Sequence, residues 1–467
     1  MIKKRFAFCR CCEITLCLQQ NMGVYIMMNG FLFRAFACIV VPFLMMASSV
    51  ESYASDEDLV GKVKSEGACD DGFFNVWKYN HQYWFEIPDS LFGRDMLLVT
   101  CRARTSMDMG FRSESIDERV FVWEKRGDDK IELMAKSFRK VAADGSELSK
   151  AVKDCMLPTI IATFDVAGRS SEGNAMIEVT DLFRKDLLAF GLDYNLKKKY
   201  AIGSLDEKSS YINHVRSFPT NIDVLSTKTY SLSGSSSVIE DEGLRTATIQ
   251  IHNSLLLLPQ TPMVPRYSDS RVGYFSIRQY DYGFDDAQRA VRTSCINRWN
   301  LEPSDPEAYF AGKTVDPVKP IVFYLSPAIP KKWVEYFKEG VEDWQEAFRS
   351  AGFSNAIVAK PVPTEDEDPD FDELDARYSM IEYFPSYVEN SYGPSVADPR
   401  SGEIINSHVC IYHNVMKLLH DWYMIQCGPV DTNARKMVYD DALMGRLLRY
   451  LVCHEVGHAL GLMHNFG

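Results

Sequence analysis

Residues 454–464 read HEVGHALGLMH, three histidines and a glutamate at fixed intervals. On a helix, His454 and His458 stand four apart, so their rings leave the same face on successive turns, about 5–6 Å apart at their bases. Two imidazoles so spaced can bind one zinc ion. Glu455 lies about 100° round the helix, placed to reach a water at the metal without binding the metal itself. Gly461 follows His458 by three residues. Glycine tolerates positive φ, so the helix can end there and the chain can return His464 as a third ligand. Three neutral nitrogens leave one tetrahedral position for water, the open arrangement of a catalytic zinc; structural sites are usually closed by four protein ligands. Zinc can lower the pKa of bound water to about 7. Glu455 would take the proton as the water attacks a carbonyl, then hand it to the leaving amine. That chemistry is peptide-bond hydrolysis. The competing reading is a helix with two ordinary histidines. A bare HExxH arises by chance in about one chain in a hundred of this length, and Gly461 with His464 lowers that several hundredfold, by roughly average composition.

The elements that must hold this motif can be read outward from it. Helices are predicted over roughly 414–426 and 441–460, the second N-capped by Asp440. Upstream, IVFYLSP reads as a buried strand. KKWVEYFKEGVEDWQEAFRSAGF reads as one amphipathic helix, with Trp333, Phe337, Val341, Trp344 and Phe348 on one face and Gly352 at its end. NAIVAKPV gives a second strand, so the three suggest a βαβ crossover. The acidic run 363–378 reads as a solvated loop; its spacing does not match a calcium loop. RYSMIEYF is a strand, and a hairpin turns on 398–402. Before residue 300 the texture is β-rich. Hairpins are predicted around Asn80 and at Gly127-Asp128, with a Ser/Gly-rich mobile loop over 231–243. The fold class expected is α+β. Four segments follow: 1–54 a leader and signal, 55–95 a small β module, 96–300 a β-rich domain, and 301–467 a catalytic lobe.

The 467 residues are 46% hydrophobic and 25% charged, the mix of a soluble globular protein. A net charge of −13 with no basic stripe argues against nucleic acid as a partner. Residues 28–54 read as an export signal: a weakly basic start through Arg34, an apolar run from Ala35 to Ala47, and a small-x-small site at Ser52-Tyr53-Ala54. The run is short for a membrane span, so no stable span is expected after cleavage. Met22, Met27 and Met28 are alternative starts. Five of the twelve cysteines precede residue 39. The remaining seven are scattered without metal-ligand spacing, which argues against a dense disulfide framework.

HEVGHALGLMH resembles the extended HExxHxxGxxH motif of the metzincin zinc peptidases. FEIPDSLFGRDMLLVT, PMVPRYSDSRVGYFS, ARYSMIEYF, YGPSVADPRSGEI and YHNVM resemble exported bacterial zinc-dependent metalloproteases, best known from Bacteroidetes. These carry an EcxA-like zinc-binding domain after two domains of unknown function. The resemblance runs from about 60 to 467. It implies that His454, His458 and His464 bind Zn2+, that Glu455 is the general base, and that the partner is a protein or peptide substrate outside the cytoplasm. It also implies a substrate-binding edge strand, at 377–384 or in the hairpin after it. Metzincins carry a Met-turn beyond the third histidine, and Met463, which precedes His464, does not take that place. The chain is therefore expected to stop short of a complete relative. His464 would lie on an unsupported tail, with weak zinc binding and poor cleavage, and the alternative function is an inactive product whose β-rich half is a binding or prodomain-like module.

Other residues invite chemistry less. His408, His413 and His420 are spaced five and seven apart and read as structural. Cys453 should point away from the metal face. Cys69 and Cys155 sit in no recognisable inhibitory motif, and nothing singles out Tyr392 or Tyr412.

Overall fold

A computed structural model of the chain describes residues 56–106, 109–142, 146–233, 243–283, 288–369 and 371–464. The leader and signal expected over 1–54 lie outside them, as do 234–242 of the Ser/Gly-rich loop.

The first half builds one antiparallel sheet of eleven strands. These are β1 (Ala68–Asp70), β2 (Asn75–Tyr79), β3 (Gln82–Ile87), β4 (Met96–Thr105), β5 (Ser115–Arg126), β6 (Lys130–Lys136), β8 (Thr159–Arg169), β9 (Ala175–Glu178), β10 (Ile202–Ser217), β11 (Asn221–Leu232) and β12 (Thr246–Leu257). β7 (Lys140–Val141) instead joins β13 (Ser276–Asp281) and β14 (Val291–Ile296) in a small sheet. The large sheet runs β1-β2-β3-β9-β8-β6-β5-β4-β12-β11-β10, so residue 95 falls between two of its strands. The two expected hairpins form, turning on Asn80 and His81 at φ 48° and 63°, and on Gly127 at φ 70°.

The period of two sorts the side chains of β4. Met96 and Leu98 enter a core with Phe121, Trp123 and Leu133. Leu97 faces the other way and joins Val120, Leu256 and Ala376, with Val396 and Ile405 packed against them. That second face carries the seam with the C-terminal half.

The C-terminal sheet contains β15 (Ile321–Leu325), β16 (Ile357–Pro361), β17 (Ser379–Phe384), β18 (Ser391–Tyr392), β19 (Ser395–Ala397) and β20 (Ile404–Tyr412). Its order is β16-β15-β17-β20-β18, with β19 also on β20. β15 and β16 pair in parallel across the expected crossover. The single helix predicted there is two, α1 (Val334–Glu342) and α2 (Gln345–Ser350). Trp344 stands at the break, packed against the same core as the rest of the stripe, with its Nε1 donating to the Cys453 carbonyl at 2.9 Å. The acidic run also differs at its end. Asp375 is fully buried, accepting from the Arg377 backbone N–H and Nε at 2.9 and 2.6 Å. Two further helices complete the lobe, α3 (Val415–Cys427) and α4 (Asp441–Ala459). Leu448, Val452 and Val456 of α4 meet Phe323, Phe337, Ile381 and Val409 in its core.

Candidate metal centre

α4 begins where Asp440 accepts from the Leu443 N–H at 2.9 Å. It lies close against its neighbours. A Cβ at Gly340 would come 2.7 Å from the Arg449 carbonyl, and one at Gly457 2.9 Å from the Trp344 ring. Arg449 adds ion pairs to Glu339 and Asp343. The helix ends as its sequence requires. Gly461 takes φ 98°, its N–H donates to the His458 carbonyl at 2.9 Å, and the Leu462 N–H donates to Gly457 at 3.0 Å. That paired closure is a Schellman motif.

The turn returns His464 to the helix face. Its Nε2 stands 3.0 Å from His454 Nε2 and 3.1 Å from His458 Nε2, and the three side chains form one potential metal-binding cluster. The expectation of an unsupported tail is wrong for the backbone leading into His464. The Met463 N–H donates to the Gly273 carbonyl at 3.0 Å, and the Phe275 N–H donates to Gly461 at 2.8 Å. Phe275 is held in turn by the Asn297 N–H at 2.7 Å, and its ring centroid lies 5.8 Å from that of His458. A strap at 273–275, nearly two hundred residues upstream, thus seats the arm. Sequence reasoning missed it, because no spacing or periodicity links the two segments.

The donor set suits zinc. His458 Nδ1 faces the Leu462 carbonyl at 2.7 Å. A carbonyl only accepts, so Nδ1 carries the hydrogen, and the neutral ring's lone pair sits on Nε2, toward the other two rings. Burial, with the two neighbouring imidazoles, pushes His454 below its usual range and favours the neutral ligand form. Three nitrogens at 2.0–2.1 Å from a tetrahedral centre would stand roughly 3.3 Å apart, close to the two separations from His464.

Glu455 is buried at 5% exposure. Its Oε1 accepts from the Ser391 hydroxyl at 2.7 Å, and its Oε2 has no hydrogen-bond partner among the described residues. Burial raises its proton affinity; Ser391 and the nearby histidines pull it back, and the balance stays upward. Gly393 lies against the same turn of α4. A Cβ there would stand 2.2 Å from the Glu455 carbonyl and 3.4 Å from His458 Cβ. Ser391 and Gly393 were also missed, though the expected hairpin carries them. They place the β18–β19 segment beside the site. β17 is not an edge, since it pairs with β15 and β20. Of the two alternative places expected for the edge strand, only the hairpin after 377–384 supplies one, in β18.

The remaining residues take structural places. His408 pairs with Glu382 at 3.3 Å, His413 meets the Tyr383 hydroxyl at 2.7 Å, and His420 donates to the Lys436 carbonyl at 3.0 Å. No second cluster of three metal-binding side chains occurs among the described residues. Cys453 is half-buried, Cys69 and Cys155 are exposed, and all seven cysteines there are free thiols. Tyr412 is buried between the rings of Phe111 and Phe384, with Tyr392 6.3 Å away.

Residues 436–467 match the Met-zincin family DUF4953. Residues 61–105 and 113–304 match two domains of unknown function, DUF5118 and DUF5117. No curated protein and no solved structure matches the chain. The Met-zincin match and the histidine cluster together indicate a metallopeptidase in general terms. The strap at 273–275 lies inside the DUF5117 match. No helix among the described residues is long and apolar enough to cross a membrane.

Proposed function

We propose that this chain belongs to a zinc-dependent endopeptidase in which His454, His458 and His464 hold the metal and Glu455 is the general base. One observation carries the reading: three imidazole nitrogens converge beside a buried carboxylate that keeps one oxygen without a partner. Zinc bound there supplies a Lewis acid for a scissile carbonyl. Glu455 Oε2 holds the attacking water, takes its proton, and releases that proton to the leaving amine nitrogen. Ser391 fixes Oε1, so the carboxylate keeps one orientation through both transfers. The β18–β19 segment pairs with β20 on one side only among the described strands, which suits addition of an extended peptide to its outer edge.

The three family matches, two domains of unknown function ahead of a Met-zincin segment, agree with the domain order of the family that the sequence resembles. Export rests on the run from Ala35 to Ala47 and predicts a mature N-terminus near Ser55; recovery only in the cytoplasm with 28–54 intact overturns it. The enzymatic test is Glu455→Gln on casein or a peptide library. Wild-type cleavage should be chelator-sensitive, and the variant should lose about a hundredfold or more in rate with its zinc content unchanged. Equal cleavage by the variant refutes the assignment.

A further inference from the structure

A different set of reactive side chains lines the seam between the large sheet and the C-terminal half. Cys101 on β4 lies directly opposite His252 on β12. Asp223 on β11 is diagonal to His252, two residues from its partner Leu225. The period of two puts all three on one face. Cys101 Sγ stands 3.7 Å from His252 Nδ1, and His252 Nε2 stands 3.7 Å from Asp223 Oδ2. The other carboxylate oxygen accepts from Ser254 and Asn221, which holds Asp223 in place. His252 and Asp223 are each 3% exposed.

Two features separate this set from a satisfied buried histidine. The β4–β5 register shifts between Thr100 and Cys101, and such bulges re-aim side chains and recur beside reactive sites. Cys101 and His252 also line a cavity of about 70 Å³ with apolar walls from Val99, Ala376 and Val396. Ser115 and Glu118 also line it.

We propose that Cys101, His252 and Asp223 form a reactive-thiol site that captures small, uncharged α,β-unsaturated carbonyl compounds. The Asp223 charge lies beside the far nitrogen of the imidazole, and the near nitrogen is within hydrogen-bond reach of the thiol, so it can take the sulfur's proton as the sulfur attacks. Burial opposes charge on His252, and Asp223 with Cys101 outweighs burial, raising it to about 10. In the reaction the sulfur lone pair forms a bond to the β-carbon, and the C=C π pair moves to the α-carbon. The α-carbon then takes the proton the thiol gave up, delivered by His252. No oxidant or reductant enters. Apolar walls, with the Asp223 carboxylate behind His252, favour a neutral reagent over an anion.

The test is a short acrylamide pulse on the whole chain near neutral pH, read by peptide mass spectrometry at each cysteine. Cys101 should react about tenfold or more faster than exposed Cys155, a conservative gain for a thiol with a base positioned on its proton. His252→Asn should bring Cys101 down to the Cys155 rate and leave Cys155 unchanged. Wild-type Cys101 reacting no faster than Cys155 overturns the proposal, as does a folded His252→Asn chain with undiminished Cys101 labelling. If that variant does not fold, the wild type still decides through the ratio of iodoacetamide to iodoacetate labelling. A higher ratio at Cys101 than at Cys155 supports the site, and an equal ratio overturns it.

Discussion

Substituting Gly461 by alanine tests whether the turn after α4 governs the metal. The residue sits at φ 98°, where a side chain costs roughly 1–2 kcal/mol. The new Cβ would stand 2.1 Å from the Asn297 carbonyl, so backbone must move. Asn297 donates to Phe275 and Phe275 donates to Gly461, at 2.7 and 2.8 Å. Each bond contributes about 1 kcal/mol. Even if about 2 kcal/mol of this reaches the arm, zinc affinity falls roughly thirtyfold, because His464 must be brought back before it can bind. Competition for zinc against a chromophoric chelator measures the loss. Gly461→Ala should approach His464→Ala in affinity, while far-ultraviolet circular dichroism stays unchanged, since the Asp440 cap and the α1 contacts of α4 are intact. Affinity within about twofold of wild type refutes the idea that this turn positions the third ligand.

Two further outcomes follow from the polar groups. Ser391 lowers the proton affinity of Glu455, and the base must be ionised to work. Ser391→Ala should therefore move the acidic limb of the pH–rate profile to higher pH; an unmoved limb removes Ser391 from the site. His252 is raised from 6.5 to about 10 with Asp223 as its partner, so its stabilisation is complete below pH 6.5 and is lost as pH rises through about 10. The gap in denaturation midpoint between wild type and Asp223→Asn should be wide below 6.5 and narrow above 10. A constant gap contradicts the ion pair.

What could be read from sequence was local. The HExxH spacing, the Asp440 cap and the Gly461 turn each depend on a few neighbouring residues, and all three take their expected geometry. The hairpins at Asn80 and Gly127 and the β15–β16 crossover follow from patterns of similar range. What escaped depends on long-range partners. Trp344 keeps its place in the apolar stripe, but its partner, the Cys453 carbonyl, lies more than a hundred residues away, and the helix is divided beside it. Asp375 looks like one more solvated acid until Arg377 satisfies it inside the fold. Ser391, Gly393 and the 273–275 strap carry no motif, and their places beside Glu455 and His464 appear only once the sheets are assembled. The strap also joins the DUF5117 match to the histidine cluster, so the β-rich half helps to form the candidate site.

Three histidines sharing one zinc are the centre of the proposed site, and X-ray absorption at the zinc edge of the purified chain addresses that directly. It should show one zinc per chain with imidazole nitrogens at about 2.0–2.1 Å and no sulfur near 2.3 Å. His458→Ala should lose the imidazole signal together with the metal. A sulfur shell, or equal zinc in the wild type and that variant, contradicts the assignment.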